Sequence, residues 1–336
     1  MTTDKNATLV SHETDIEGEG DLKIRFRKLD EQNENTFSKN YITLSESALY
    51  WASMTVGAPS LAAAMQNYSD APAFALHKWS AICSVACIRD SQIHLRKSYH
   101  MLDPTEKGVL SYWAGMIFAK LVAEKILHTP WAAHARILQK NGFMQVDPPK
   151  TNSLPDLVCY EGDSEIYHIV EAKGRCKQNF AQIEKYKEQT RRIAFINGKE
   201  PTSRNVCVTY LKSPFAIDLF DPETDPEKKA VVEINLSVLQ KYYYMPLVAF
   251  LTEKGYESDE CTSDPFIYRQ FACDHVDKRK FRIGMVKDMF EQVKNEEFIE
   301  RGKSLEQADV SKLRKDPFFS NTDFFIGLDG IFVQLF

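Results

Sequence analysis

From about residue 44 to 100 apolar residues recur every three or four positions, the spacing of helices with one buried stripe. SESALYWASM breaks at Gly57 and Pro59, LAAAMQNY resumes, and APAFALHKWSAICSVACIRDSQIHL continues the same period. A third helix is expected from about Gly108 to Leu127, after the start signal Asp103-Pro104 and before Thr129-Pro130. WAAHARILQKNGF reads either as a short strand or as a helical turn ending at Asn141-Gly142, and DPPK at 147 to 150 reads as a loop. LPDLVCY and EIYHIVEAK are rich in β-formers and are separated by EGDS, which is turn chemistry. KQNFAQIEKYKEQTRRIAFI returns to helical spacing, ends near Asn197-Gly198, and is followed by the apolar strand NVCVTYL at 205 to 211.

The order of helix, candidate strand, strand, strand, helix and strand is that of an α/β core with a mixed sheet. The acidic, proline-bearing DLFDPETDPEKK at 218 to 229 is expected to be a linker or surface loop. Beyond it the pattern predicts a helix around 233 to 253 interrupted by Pro246, a strand at FIYRQF, a helix from about 284 to 300, and a terminal hairpin turning at Asp329-Gly330. This divides the chain into a largely disordered or extended N-terminus (1–40), a helical region (41–105), a core (106–215) and a C-terminal α/β region (216–336).

Composition narrows the class. A chain of 336 residues, 43% hydrophobic and 26% charged, has the make-up of a globular protein with a substantial core, while its first 21 residues are polar, acidic and without apolar period. No stretch approaches the roughly 18 uncharged apolar residues of a membrane span, so no membrane partner is expected. Seven cysteines without a paired framework fit a reducing, cytoplasmic setting. Cys83 and Cys87 lie one helical turn apart and lack the close Cys or His pair of a metal site.

The net charge of −5 argues against indiscriminate coating of nucleic acid, but the charge is uneven. Between Lys173 and Arg192 seven basic residues (Lys173, Arg175, Lys177, Lys185, Lys187, Arg191, Arg192) face two acidic ones, Glu184 and Glu188. A second basic knot, DKRKFR, lies at 277 to 282. Most such runs are solvated faces; the first is singled out because it begins at Lys173.

Strand alternation puts Tyr167, Ile169, Glu171 and Lys173 on one face and His168, Val170 and Ala172 on the other. If the preceding strand pairs through the EGDS turn, Asp156 lies beside Glu171 at one end of the sheet. Two adjacent carboxylates repel unless a cation or shared proton compensates, and hard oxygen donors favour Mg²⁺ or Mn²⁺. Lys173 would then orient water and stabilise charge developing on a phosphate. The bland alternative is a Glu171–Lys173 salt bridge at a strand end, with Asp156 capping a turn.

Pro155-Asp156 followed after fourteen residues by Glu171-Ala172-Lys173 resembles the PD-(D/E)xK nuclease superfamily, and Gln182 to Tyr186 is similar to the QxxxY signature of its exonuclease-like branch. The resemblance implies a restriction-endonuclease-like core of helix, three strands, helix and strand around a mixed sheet, with helical N-terminal and α/β C-terminal additions. It implies catalytic roles for Asp156, Glu171, Lys173, Gln182 and Tyr186, and Mg²⁺ or Mn²⁺ held by Asp156, Glu171, the Ala172 carbonyl and Glu124, which is similar to an acidic ligand on the first core helix. Arg175, Lys177, Lys185, Arg191 and Arg192 are then the residues expected on nucleic acid. His168 faces away from Glu171, and His134 stays open.

The function expected on this basis is metal-dependent phosphodiester hydrolysis, of DNA ahead of RNA. A place in restriction or anti-phage defence is fold-level analogy. A repair or recombination nuclease, an RNase of the same fold, and a non-catalytic module binding nucleic acid or a partner are the alternatives. Gly302-Lys303-Ser304 lacks the upstream glycine of a phosphate-binding loop, so a motor or activator would be a partner chain, with the protein a homo-oligomer or complex subunit.

Overall fold

The computed structural model describes residues 22–30, 34–36, 40–56, 71–147, 154–161, 166–222, 230–252, 260–263, 265–273, 279–295, 307–313, 315–316, 319 and 322–336. LAAAMQNY and the EGDS turn lie almost wholly outside these residues.

The N-terminal part comprises β1 (Leu22–Leu29), β2 (Tyr41–Leu44), α1 (Glu46–Thr55), α2 (Ala71–Val85), β3 (Ala86–Arg89), β4 (Gln92–Leu95), α3 (Lys97–Met101) and α4 (Pro104–Lys125). Two expectations are corrected. Within the segment read as largely disordered or extended, LKIRFRKL buries Leu22, Ile24 and Phe26 and exposes Lys23 and Arg25, a two-residue period that makes β1 a strand of the central sheet. The helical period read through residue 95 stops at Val85, and Ala86–Leu95 forms a hairpin turning at Asp90 and Ser91, both at positive φ (51° and 55°).

The central part continues with β5 (Trp131–His134), α5 (Ala135–Lys140), β6 (Met144–Asp147), β7 (Leu157–Glu161), β8 (Ile166–Arg175), α6 (Phe180–Arg191), β9 (Ile193–Ile196), β10 (Ser203–Tyr210) and β11 (Ala216–Phe220). WAAHARILQK therefore makes both the strand and the helical turn. A seven-stranded mixed sheet runs β2-β1-β11-β10-β8-β7-β5. β5, β7 and β8 pair antiparallel, and α6 crosses over to bring β10 parallel to β8. Ala216–Phe220 is a buried strand, so the expected linker begins inside the sheet. Asp218 there accepts two bonds from Arg27 of β1, at 2.7 and 2.5 Å, tying the N-terminal strand to the core.

The chain ends with β12 (Ala230–Ile234), α7 (Leu236–Thr252), β13 (Glu260–Ser263), β14 (Phe266–Cys273), β15 (Arg279–Val286), α8 (Lys287–Lys294), α9 (Gln307–Leu313), β16 (Asp323–Ile326) and β17 (Ile331–Leu335). The helices expected from 233 and 284 thus begin at 236 and 287, each after a strand. β12 joins β6 and β9 in a small sheet, and β13-β14-β15-β17-β16 forms an antiparallel one, closed by the expected hairpin with Gly330 at φ 71°.

α4 packs on β8 and β10, and α1 lies between α4 and the β16–β17 hairpin; α6 covers the opposite face of the large sheet. The first layer is cemented across the sequence. Asp323 Oδ2 and Oδ1 accept the N–H groups of Glu46 and Ser47, at 3.1 and 3.2 Å, and cap α1 from the C-terminal hairpin. No helix among the described residues is long and apolar enough to cross a membrane.

Candidate functional site

β7 begins at Leu157, opposite Val170, so Glu171 to Lys173 of β8 run past its end and Asp156 turns in beside them. Asp156 donates its backbone N–H to Glu171 Oε2 at 3.0 Å, and Asp156 Oδ2 accepts the Ala172 N–H at 3.0 Å. Lys173 Nζ lies 2.9 Å from Asp156 Oδ2 and 2.5 Å from Glu171 Oε1. One ammonium therefore bridges the carboxylate of Asp156, just before β7, and that of Glu171 on β8. A strand residue sends its N–H and C=O to the same side, so the Ala172 carbonyl shares the edge on which Asp156 sits.

The electrostatics are strained by burial. Glu171 is 1% exposed in its side chain, and burial, then the charge of Asp156, push its carboxyl up to about 7, against the pull of Lys173. Lys173 is raised overall: burial alone would lower it, but both carboxylates outweigh that.

α4 reaches this strand because two glycines let it. A Cβ on Gly115 would sit 2.7 Å from the Gly174 nitrogen, and a Cβ on Gly174 would land on the Ser111 carbonyl. The contact brings Tyr112, 44% exposed, to the site's flank, where burial and then Asp156 raise its hydroxyl pKa and Lys173 opposes them. His134 joins from the end of β5, paired with Leu157. Its Nδ1 is buried with no hydrogen-bond partner; burial lowers its pKa and Asp156 opposes that. His168 points elsewhere as expected, with Nδ1 2.7 Å from Ser203 Oγ and its pKa lowered by burial to about 4.

On the opposite face, the Tyr186 ring centroid is 5.3 Å from Lys173 Nζ, and its hydroxyl accepts from Arg175 Nε at 3.1 Å and from a second guanidinium nitrogen. Gln182 is exposed one turn earlier on the same flank of α6, its own N–H capped by Asn179. Lys177 and Lys185 are exposed, while Arg175, Arg191 and Arg192 are half-buried. Lys187, counted in the basic run, is 0% exposed, paired with Glu184 at 3.1 Å and 5.7 Å from the Phe220 ring centroid, so it does not belong to the solvent face.

Glu124 is not brought to this site. Gly115 is the α4 residue against Lys173, and Glu124 follows nine residues later, about 13 Å along the helix axis. Glu124 Oε1 accepts the Leu328 N–H at 2.6 Å, in a buried cluster with Lys120 and Asp329. Among the described residues, no three or more His, Cys, Asp or Glu side chains are grouped to hold a metal ion.

Tyr112 is not legible in the sequence as a site residue, because its placement depends on the Gly115–Gly174 contact between distant segments. The available signal is a stripe on α4, Thr105, Gly108, Val109 and Tyr112, that is exposed where the rest of the helix becomes apolar. No protein-family model, curated protein sequence or solved structure matches this chain.

Proposed function

We propose that the protein is a metal-dependent nuclease of the restriction-endonuclease-like class, hydrolysing phosphodiester bonds of DNA at Asp156, Glu171 and Lys173. The observation that carries the reading is that the carboxylates of Asp156, just before β7, and Glu171, on the adjacent β8, share the Lys173 ammonium at one end of the sheet. The sequence of α4, β5, β7, β8, α6 and β10, with the last two strands parallel, supports it.

The donor set fits a hard divalent cation. Two carboxylates and the Ala172 carbonyl are oxygen donors, and burial, then the charge of Asp156, raises the pKa of Glu171, a load that a divalent cation would relieve. Asp156, Glu171 and the Ala172 carbonyl would hold Mg²⁺ or Mn²⁺, which supplies Lewis-acid polarisation of phosphate and water when bound. Lys173 has three donors and reaches both carboxylates, so its charge stands where negative charge grows on a phosphate oxygen. Tyr186 holds the Arg175 guanidinium beside it. Exposed Lys177 and Lys185 extend the positive surface for the phosphate backbone, which positions nucleic acid without reading sequence. A role in restriction or anti-phage defence, with a partner chain supplying ATPase activity or activation, is an analogy carried by the fold reading alone.

The test is incubation of wild type and Glu171→Ala with linear, circular and single-stranded DNA and with RNA, in Mg²⁺, Mn²⁺ or EDTA. Metal-dependent cleavage that vanishes in the variant is expected. A folded wild type that binds these substrates and cuts none of them would favour the non-catalytic module.

A further inference from the structure

The groups around Asp156, Glu171 and Lys173 are of two kinds, cations and rings. Tyr112 stands on α4 with 44% of its surface exposed, beside Ser111, whose backbone touches Gly174. Val109, 41% exposed, precedes it by one turn on the same stripe, so aromatic and aliphatic surface leads along the helix to the carboxylates. On the other face stand Tyr186, against Lys173, and Phe180, 56% exposed where α6 begins. Exposed Lys177 lies three residues before Phe180, and exposed Arg136 follows His134.

A duplex keeps its bases stacked inside and offers its phosphates outward, so it meets a cleavage site through cations. Exposed rings beside the reacting groups suit a strand whose bases are free to leave the stack, with cations following the backbone. Half-buried Arg175 at the end of β8 and exposed Lys177 just beyond it supply cations for a phosphate backbone beside the carboxylates.

We infer that Tyr112 is a stacking platform for an unpaired base next to the phosphate that is cut, so that the substrate of this site is single-stranded DNA or the unpaired end of a duplex. The inference rests on the nuclease reading for the location of that phosphate. It adds a specificity residue lying outside the Asp156, Glu171, Lys173 and Gln182–Tyr186 pattern.

Binding in EDTA separates the inference from hydrolysis. Fluorescence anisotropy with labelled oligothymidine and with a fully paired, blunt-ended two-strand duplex is measured for wild type, Tyr112→Ala and Tyr112→Phe, each first shown by circular dichroism to be folded. Wild type is expected to bind oligothymidine more tightly than the duplex. Tyr112→Ala should weaken oligothymidine binding roughly tenfold or more and leave duplex binding unchanged, while Tyr112→Phe, which keeps the ring, binds as wild type. Unaltered oligothymidine binding by Tyr112→Ala, tighter binding of the duplex, or no oligothymidine binding by wild type overturns the inference. If the ring-dependent binding is found but no metal supports cleavage, the stacking platform stands and the nuclease reading falls; cleavage with Tyr112→Ala binding as wild type gives the reverse.

Discussion

Asp156 and Glu171 are locked to each other through their own backbones: the Asp156 N–H donates to Glu171 Oε2 at 3.0 Å, and Asp156 Oδ2 accepts the N–H of the residue after Glu171 at 3.0 Å. Neither carboxylate can swing away without losing a bond, so their mutual repulsion is met by the Lys173 ammonium between them. Lys173→Met should therefore destabilise the fold in EDTA by about 1–3 kcal/mol, less than for a fully buried pair because Lys173 and Asp156 keep some exposure. A divalent cation can replace the missing charge. Mg²⁺ or Mn²⁺ should raise the melting temperature of Lys173→Met more than that of wild type, while cleavage stays absent. Equal shifts in the two proteins would count against a cation site between these carboxylates.

Gly174 and Gly115 set the distance between α4 and the site strand. A methyl at position 174 would be driven into the Ser111 backbone, which cannot rotate aside as a side chain could. Gly174→Ala is expected to cost about 3 kcal/mol, seen as a lower denaturation midpoint. Gly108, on the same helix, has nothing within 4 Å of the place a methyl would take. Gly108→Ala should instead stabilise by roughly 0.5–1 kcal/mol through helix propensity. Similar effects from both would mean the helix does not approach the strand as closely as described.

The part of the site carried by one hairpin is legible in the sequence because local rules suffice there. Alternation along IYHIVEAK fixes the side shared by Glu171 and Lys173, and turn chemistry brings Asp156 back to them. Glu124 is misplaced by the same reasoning because helical spacing gives a residue's face but not its height against a strand, and height here is set by Gly115 meeting Gly174. β1 escapes detection for another reason: its solvent-side Lys23 and Arg25 lower mean hydropathy, and its partner β11 lies nearly two hundred residues away, recorded locally only as a charged Arg27. The hairpin Ala86–Leu95 shows the same limit at short range, since Cys87, Ile88, Ile93 and Leu95 satisfy helical and strand periods about equally, and Asp90-Ser91 at positive φ decides between them.

The buried cluster beneath the C-terminal turn makes stability depend on pH in a predictable direction. Burial raises Glu124 from 4.5 to about 7 in the folded chain, with Asp329 adding to that and Lys120 opposing it. Between those values the folded state keeps a proton the unfolded state has lost, so the contribution of Glu124 is favourable at low pH and is lost as pH rises through about 7. Glu124→Gln keeps an oxygen for the Leu328 N–H and removes the titration. Relative to wild type it should gain about 1–3 kcal/mol at pH 8.5 compared with pH 5, read from thermal melts at both. A difference independent of pH would show that Glu124 is ionised throughout.

The basic run from Lys173 to Arg192 divides by exposure, and salt dependence separates its members. Lys177 and Lys185 face solvent, whereas Lys187 is buried and paired with the exposed Glu184. A lysine that neutralises a phosphate on a single strand contributes roughly 0.7 to the slope of log affinity against log salt. Lys177→Ala and Lys185→Ala should each reduce the slope for oligothymidine by about that amount, uniformly across sequences, because phosphate contacts carry no base information. Lys187→Met should leave the slope unchanged and cost little stability, since the partner Glu184 is 53% exposed and water takes over its carboxylate while the methionine fills the buried site. A slope that falls for Lys187→Met but not for Lys177→Ala would turn the helix around and place nucleic acid on its other face.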